Sequence, residues 1–166
     1  MEICSLDWDI AYKYFQTILT ITIAGVVYFL WHKQKGKEVI SNEAKEIFKL
    51  LEEVSLKSQT VFEQMLKMVI HSKTPNDFEE ELIVEFRNMN IDIRKRLNLI
   101  RYKNNNKKTL LLIDLFDETY GEFILHYFHN NSESLKKLMA DETRYRDTVE
   151  NLKKDMYEYA LYKKIL

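Results

Sequence analysis

Residues 14–31 read YFQTILTITIAGVVYFLW, eighteen consecutive positions without a formal charge. As a helix rising about 1.5 Å per residue they cover roughly 27 Å, close to the hydrocarbon thickness of a bilayer. Aromatic rings crowd both ends, with Trp8, Tyr12, Tyr14 and Phe15 on one side and Tyr28, Phe29 and Trp31 on the other. Such rings favour the headgroup level. His32, Lys33, Lys35 and Lys37 follow the run, whereas Glu2, Asp7 and Asp9 precede it against Lys13 alone. The positive-inside rule therefore predicts a short extracytoplasmic N-terminus (1–13), a transmembrane helix (14–31), a basic juxtamembrane linker (32–37) and a cytoplasmic domain (38–166). The expected location is the cell inner (cytoplasmic) membrane. The N-terminus is acidic, and Val27–Trp31 is bulky where a signal peptidase requires small residues, so the segment is expected to stay attached. Cys4 follows too short and polar a leader to be a lipoprotein cysteine. Thr17, Thr20 and Ala24 recur at helical spacing beside Gly25, a small-residue face that predicts self-association.

Working outward, the whole chain has 166 residues, 46% hydrophobic and 31% charged, with a formal charge of −1. That length suits one compact domain plus an appendage. Three glycines and one proline are too few for the tight turns of sandwiches, barrels or doubly wound sheets. One cysteine excludes an intrachain disulfide framework.

Beyond residue 38 the apolar residues keep helical spacing. Ile40, Ala44, Ile47, Leu51, Val54, Val61, Met65 and Val69 mark a first helix running almost unbroken from the membrane, with Gly36 the expected bend. Thr74-Pro75 is a helix restart, Thr as N-cap and Pro at the first helical position. Phe78, Leu82, Phe86, Met89, Ile93, Leu97 and Ile100 carry the next helix, which stops at Asn104-Asn105-Asn106. Residues 109–128 open on Leu110–Ile113, a stretch compatible with a strand, but continue at helical spacing through Phe116, Tyr120, Phe123 and Tyr127; they are read as helix. Asn130-Asn131-Ser132 precedes a last helix with Leu135, Met139, Val149, Leu152, Met156 and Ala160, expected to break at Asp141. The predicted fold is all-α: one N-terminal transmembrane helix followed by a cytosolic bundle of four or five helices.

Charge is unevenly spread. Residues 38–92 carry a net −6, yet Ile93–Ile113 holds seven cations and no acid. The candidate ligand-binding residues are Arg94, Lys95, Arg96, Asn98, Arg101, Tyr102, Lys103, Asn104, Lys107 and Lys108. Cations would meet phosphates, the Tyr102 ring would stack on a base, and the amides would read its edge. The same residues also fit structural roles, complementing a helix C-terminus or pairing with acidic neighbours, or contact with anionic headgroups. Asp114, Glu118, Glu122 and His126, with His129 beyond, form the best row for metal or acid–base chemistry, but Glu122-xxx-His126 lacks the spacing of carboxylate-bridged bundles. No P-loop, dinucleotide-binding glycine pattern, His-Glu-xx-His or serine elbow occurs. The reading is a non-enzymatic protein without cofactor or metal.

In architecture the chain resembles small membrane effectors of type III CRISPR defence that respond to cyclic tetra-adenylate. The resemblance rests on the Tyr14–Trp31 span with its Lys33/Lys35/Lys37 stop, the small cytosolic domain and the isolated Arg94–Lys108 run. It departs from them in lacking an α/β nucleotide-sensing domain. It implies an antiviral, membrane-acting homo-oligomer that binds a cyclic oligonucleotide around its symmetry axis, with no duplex nucleic acid as partner. The alternative is a membrane-tethered helical adaptor that docks a cytosolic protein.

Overall fold

The computed structural model describes residues 8–71, 77–103, 106–128 and 135–161. Four helices account for nearly all of them: α1 (Trp8–His71), α2 (Asp77–Lys103), α3 (Lys107–Phe128) and α4 (Leu135–Ala160). No strand occurs among the described residues, so Leu110–Ile113 is helical, as its continuation at 3–4 spacing requires. The Thr74-Pro75 restart, Cys4, His129 and Asn130-Asn131-Ser132 lie outside the described residues.

The chain divides into two compact units, residues 1–39 and 40–166. In the first, the described residues belong to α1 and their apolar side chains face outward on every side; Ile18, Ile21 and Phe29 are each more than 60% exposed. This is the one helix among the described residues long and apolar enough to cross a membrane. Thr17, Thr20 and Thr22 donate their hydroxyls to the carbonyls of Lys13, Gln16 and Ile18 at 2.8–2.9 Å. Their protons are thus used within the helix, and a self-associating face would rest on close packing at Ala24 and Gly25 instead. Tyr28, Trp31 and His32 form a ring cluster at the end of the run, with centroids 5.4–6.4 Å apart.

Residues 32–37, expected as a linker, are part of α1, and Gly36 lies inside the helix. A Cβ at Gly36 would meet nothing within 4 Å, so no close approach demands glycine there. Its cost to helix stability, about 1 kcal/mol relative to alanine, is absorbed by the turns on either side.

The second unit is an up-down-up-down bundle. From Ile40 to Met68, α1 buries Ile40, Ala44, Ile47, Leu51, Val54, Ser58, Val61, Met65 and Met68, alternating four and three residues apart. That heptad spacing keeps one seam facing its neighbours. Contacts fix the order around the ring. Ser41 donates to the Ala160 carbonyl at 2.9 Å and Phe48 meets Tyr157, placing α4 antiparallel to α1. Ion pairs Arg96–Glu43 and Lys57–Glu85 place α2 antiparallel to α1. Arg94–Asp117 joins α2 to α3, and Thr109–Asp155 joins α3 to α4.

At the centre, Tyr145 of α4 is sealed among Phe86, Phe116, Tyr120 and Phe123, ring centroids 5.5–6.0 Å from the three phenylalanines and 6.3 Å from Tyr120. Its hydroxyl donates to Asn90 Oδ1 at 2.7 Å, and Asn90 Nδ2 donates to the Phe86 carbonyl at 2.9 Å. The polar tip of a fully buried ring is thereby satisfied. The bundle has four helices, within the expected four or five, and the first continues the apolar N-terminal helix, as expected. Contrary to expectation, α4 does not break at Asp141: that carboxylate accepts a hydrogen bond from, or pairs with, His126 Nε2 at 2.7 Å, so an acid that would interrupt an apolar seam is accommodated within it. Leu135 and Met139, counted in the apolar row of the last helix, are 40% and 50% exposed, and Leu138 and Tyr145 are buried instead.

Candidate anion-binding surface

The Arg94–Lys108 run spans the last two and a half turns of α2 and the first of α3, and its cations separate into two groups. The arginines face neighbouring helices. Arg94 Nε lies 2.7 Å from Asp117 Oδ1, and Arg101 Nη2 lies 2.6 Å from Asp114 Oδ1 and 3.8 Å from Asp117 Oδ2. Residues seven apart on α2 thus meet residues three apart on α3. Asp117 Oδ1 is buried without an aligned hydrogen bond, so its contact with Arg94 is ionic. Arg96 turns to α1, donating from Nη1 to Glu43 at 3.0 Å and from Nε to Asp92 at 3.4 Å. The Glu43 hydrogen bond raises its pKa further above the ordinary arginine value. These side chains are a third to a half exposed, so each pair contributes at most about 1 kcal/mol. Their geometric effect is larger: the guanidinium forks that would grip a phosphate already hold carboxylates.

The lysines face solvent. Lys95, Lys103, Lys107 and Lys108 are all exposed, as are Asn98 and Tyr102, and no ion pair involves these lysines among the described residues. Tyr102 is 85% exposed, and Lys103 Nζ sits 5.6 Å from its ring centroid. Asn106 caps α3: its side-chain oxygen accepts the Lys108 N–H at 3.0 Å and its carbonyl accepts the Leu110 N–H at 3.1 Å. Asn104 lies outside the described residues. The expected face of Arg94, Asn98 and Arg101 is therefore split, with Asn98 turned outward. Arg96 and Lys103, expected as a row, point to different surroundings. Tyr102 and Lys103 end α2 and Lys107 and Lys108 open α3, and all four are exposed.

The Asp114–His126 row is also taken up by partners. Asp114 holds Arg101, Glu118 and Glu122 hold Arg144 at 3.4 and 2.6 Å, and His126 holds Asp141. Among the described residues no group of three or more His, Cys, Asp or Glu side chains is placed to hold a metal ion. Asp155, almost fully buried, accepts from Thr109 Oγ1 at 2.7 Å, and the same hydroxyl lies 3.2 Å from Tyr159. Burial holds the Tyr145 phenol well above its ordinary pKa and raises that of Tyr120, so neither ionises readily. The bundle's shallow open groove, lined by Glu53, Leu56, Lys57, Leu82, Glu85 and Met89, is crossed by the Lys57–Glu85 ion pair.

The acids that claim the arginines were not singled out as their partners by the sequence reading. The usable signal is the Asp114/Asp117 pair, one turn apart on a helix that returns beside Arg94 and Arg101. No protein-family model matches this chain, and comparisons with curated proteins and with solved structures return no significant match.

Proposed function

We propose that this protein is a single-span membrane protein that holds a closed four-helix bundle on the cytoplasmic side and serves as a non-enzymatic adaptor. The observation that carries the reading is the contrast within α1: residues 14–31 present apolar side chains in every direction, while the bundle completes its core from residue 40 onward without them. Leaving so many large apolar side chains in water is untenable at about 1.5–3 kcal/mol each, and lipid is the solvent that matches their length and aromatic ends. Support for the adaptor role comes from the bundle, where acids and bases hold one another across helices and Tyr120, Tyr145 and Tyr159 carry packing. The test is alkaline extraction of membranes bearing the full chain, followed by labelling with a membrane-impermeant maleimide. The chain should stay in the pellet, with Cys4 labelled from outside and the thiol of Lys95→Cys, in a Cys4→Ser background, labelled only after lysis. Release into the supernatant overturns the span, and the opposite labelling overturns the topology.

A second reading, a membrane-acting defence effector that senses a cyclic oligoadenylate as a homo-oligomer, is favoured by the open Tyr102 ring with Lys103 beside it and by the exposed Lys107 and Lys108 at the start of the next helix. A base would stack on the ring and phosphates would meet the lysines. Titrating the full chain in detergent with cyclic tetra-adenylate tests it: binding that is lost in Tyr102→Ala supports the reading, and no binding at low salt rejects it.

A further inference from the structure

Lys107 and Lys108 sit where local structure gives them no reward. Cations near a helix C-terminus complement the helix dipole, which accounts for Arg101 and Lys103 at the end of α2. The start of α3 is the opposite case: two lysines stand at the positive end of a helix whose first turn holds no acid. Both are exposed, and Asp114, the exposed acid one to two turns away, is held by Arg101. Positive charge without an ion pair therefore stands on both sides of the α2–α3 connection, at Lys103 beside the open ring of Tyr102 and at Lys107 and Lys108.

The position of this surface within the bundle gives it meaning. Arg96 meets Glu43 and Ser41 meets the Ala160 carbonyl, so the end of α2, the start of α3 and the end of α4 all lie at the end of the bundle that carries Ile40. The chain enters the bundle there, nine residues after Trp31. Even fully extended, nine residues reach no more than about 32 Å. Lysines suit a surface of many anions better than one bound ligand, since an ammonium acts as a point charge, while planar bidentate recognition of a single phosphate falls to arginine. Here the arginines are occupied and the lysines are open.

We propose that Tyr102, Lys103, Lys107 and Lys108 form a docking surface for anionic lipid headgroups, by which the bundle rests on the membrane that anchors it. The proposal rests on the single-span reading above. Charge complementarity brings the lysines to the headgroups, and the tyrosine ring lies at the interface where amphipathic rings settle. Three lysines near an anionic surface favour the docked arrangement by about a hundredfold. Salt near 0.5 M, with a screening length under about 5 Å, removes most of that preference.

The test uses the full chain, Cys4→Ser, with an environment-sensitive fluorophore on Asn98→Cys, reconstituted into vesicles of phosphatidylcholine alone or with 30% phosphatidylglycerol. The expected result is a blue shift in the anionic vesicles only, reversed by 0.5 M salt and lost in Lys103→Glu/Lys107→Glu/Lys108→Glu. Lys45→Glu/Lys49→Glu, which changes charge on another face, should leave the shift in place. Co-flotation with both vesicles but the same emission in each overturns the docking and leaves the anchor standing. Failure to float with either vesicle overturns the anchor as well. A shift produced in neutral vesicles by cyclic tetra-adenylate or inorganic polyphosphate overturns the lipid assignment in favour of a soluble phosphate ligand.

Discussion

Residues 14–31 and 40–68 belong to the same helix, and they treat their apolar side chains in opposite ways. In the first stretch Ile18, Leu19, Ile21, Ile23, Val26, Val27, Phe29 and Leu30 point all round the helix and all lie exposed. In the second, one seam of apolar residues from Ile40 to Met68 is nearly sealed, while Glu46, Lys49, Glu52 and Glu63 occupy other faces and Leu56 is the one strongly exposed apolar side chain. Backbone geometry does not distinguish the two; the angular spread of hydrophobicity does. A seam needs protein partners on one side, whereas an apolar cylinder needs a solvent that is apolar on all sides. One α-helix thus carries two folding instructions, and each can be broken without touching the other.

The largest effect comes from breaking the cylinder. Ile21→Arg/Ile23→Arg places two charges at the centre of the apolar run, at roughly 2.5–3.5 kcal/mol each on insertion scales. The full-length double variant should leave the alkaline-extracted membrane pellet, while the thermal transition of its bundle, followed by circular dichroism in detergent, stays where it was. Breaking the seam should do the reverse. Leu51→Ala removes a completely buried side chain and should lower bundle stability by about 2–5 kcal/mol in denaturant titrations, with membrane retention unchanged. If both variants lost both properties, the division of α1 into independent halves would be wrong.

How much of this was written in the sequence depends on where each residue's partner lies. The cylinder needs only its own composition, and it was legible at once. The α2 register was legible too: Phe86, Ile93, Leu97 and Ile100 are all buried. In α4 the reading slipped because charge occupies part of the seam. Asp141 and Glu142 are buried where the pattern looks interrupted, and the true inward row continues through Leu138, Tyr145, Val149, Leu152, Met156 and Tyr159. Asp141 is tolerable there because His126 meets it from α3, a partner no periodicity on α4 can reveal. The same blindness affected the basic run. Its charge was plain, but its division into held arginines and open lysines depends on Glu43, Asp114 and Asp117, which sit on other helices.

A third prediction sharpens the seam at its polar centre. Tyr145→Phe leaves Asn90 Oδ1 buried without its donor, a loss of about 1–3 kcal/mol. It should also alter the response to alkali. A free tyrosine ionises near pH 10, but burial keeps Tyr145 protonated in the fold to higher pH. Above pH 10 the unfolded chain therefore releases a proton that the folded chain retains, and stability falls as pH rises toward the folded-state pKa. The wild-type midpoint in urea should drop between pH 9.5 and 11 more steeply than that of Tyr145→Phe, whose lost hydrogen bond is the same at every pH.

The smallest effect tests whether the ion pairs on the outside of the bundle are all alike. Lys49 and Glu46 pair one turn apart on α1, both well exposed, and Lys49→Ala should leave the denaturation midpoint unmoved because solvent replaces what is lost. Arg94→Ala should cost more, though still under about 1 kcal/mol, since Arg94 is also half exposed. The difference lies in what remains behind. Asp117 Oδ1 is sealed from water and has Arg94 as its near ion partner, so removing the guanidinium leaves a carboxylate oxygen that solvent does not reach. Asp117→Asn in the Arg94→Ala background removes that stranded charge and should recover part of the loss, whereas Glu46→Gln in the Lys49→Ala background has nothing to recover. A rescue in the first pair and none in the second would mark the α2–α3 arginines as fixtures of the helix interface. Equal behaviour of the two pairs would return Arg94 to the solvent-facing cations and reopen it as a contact for an external anion.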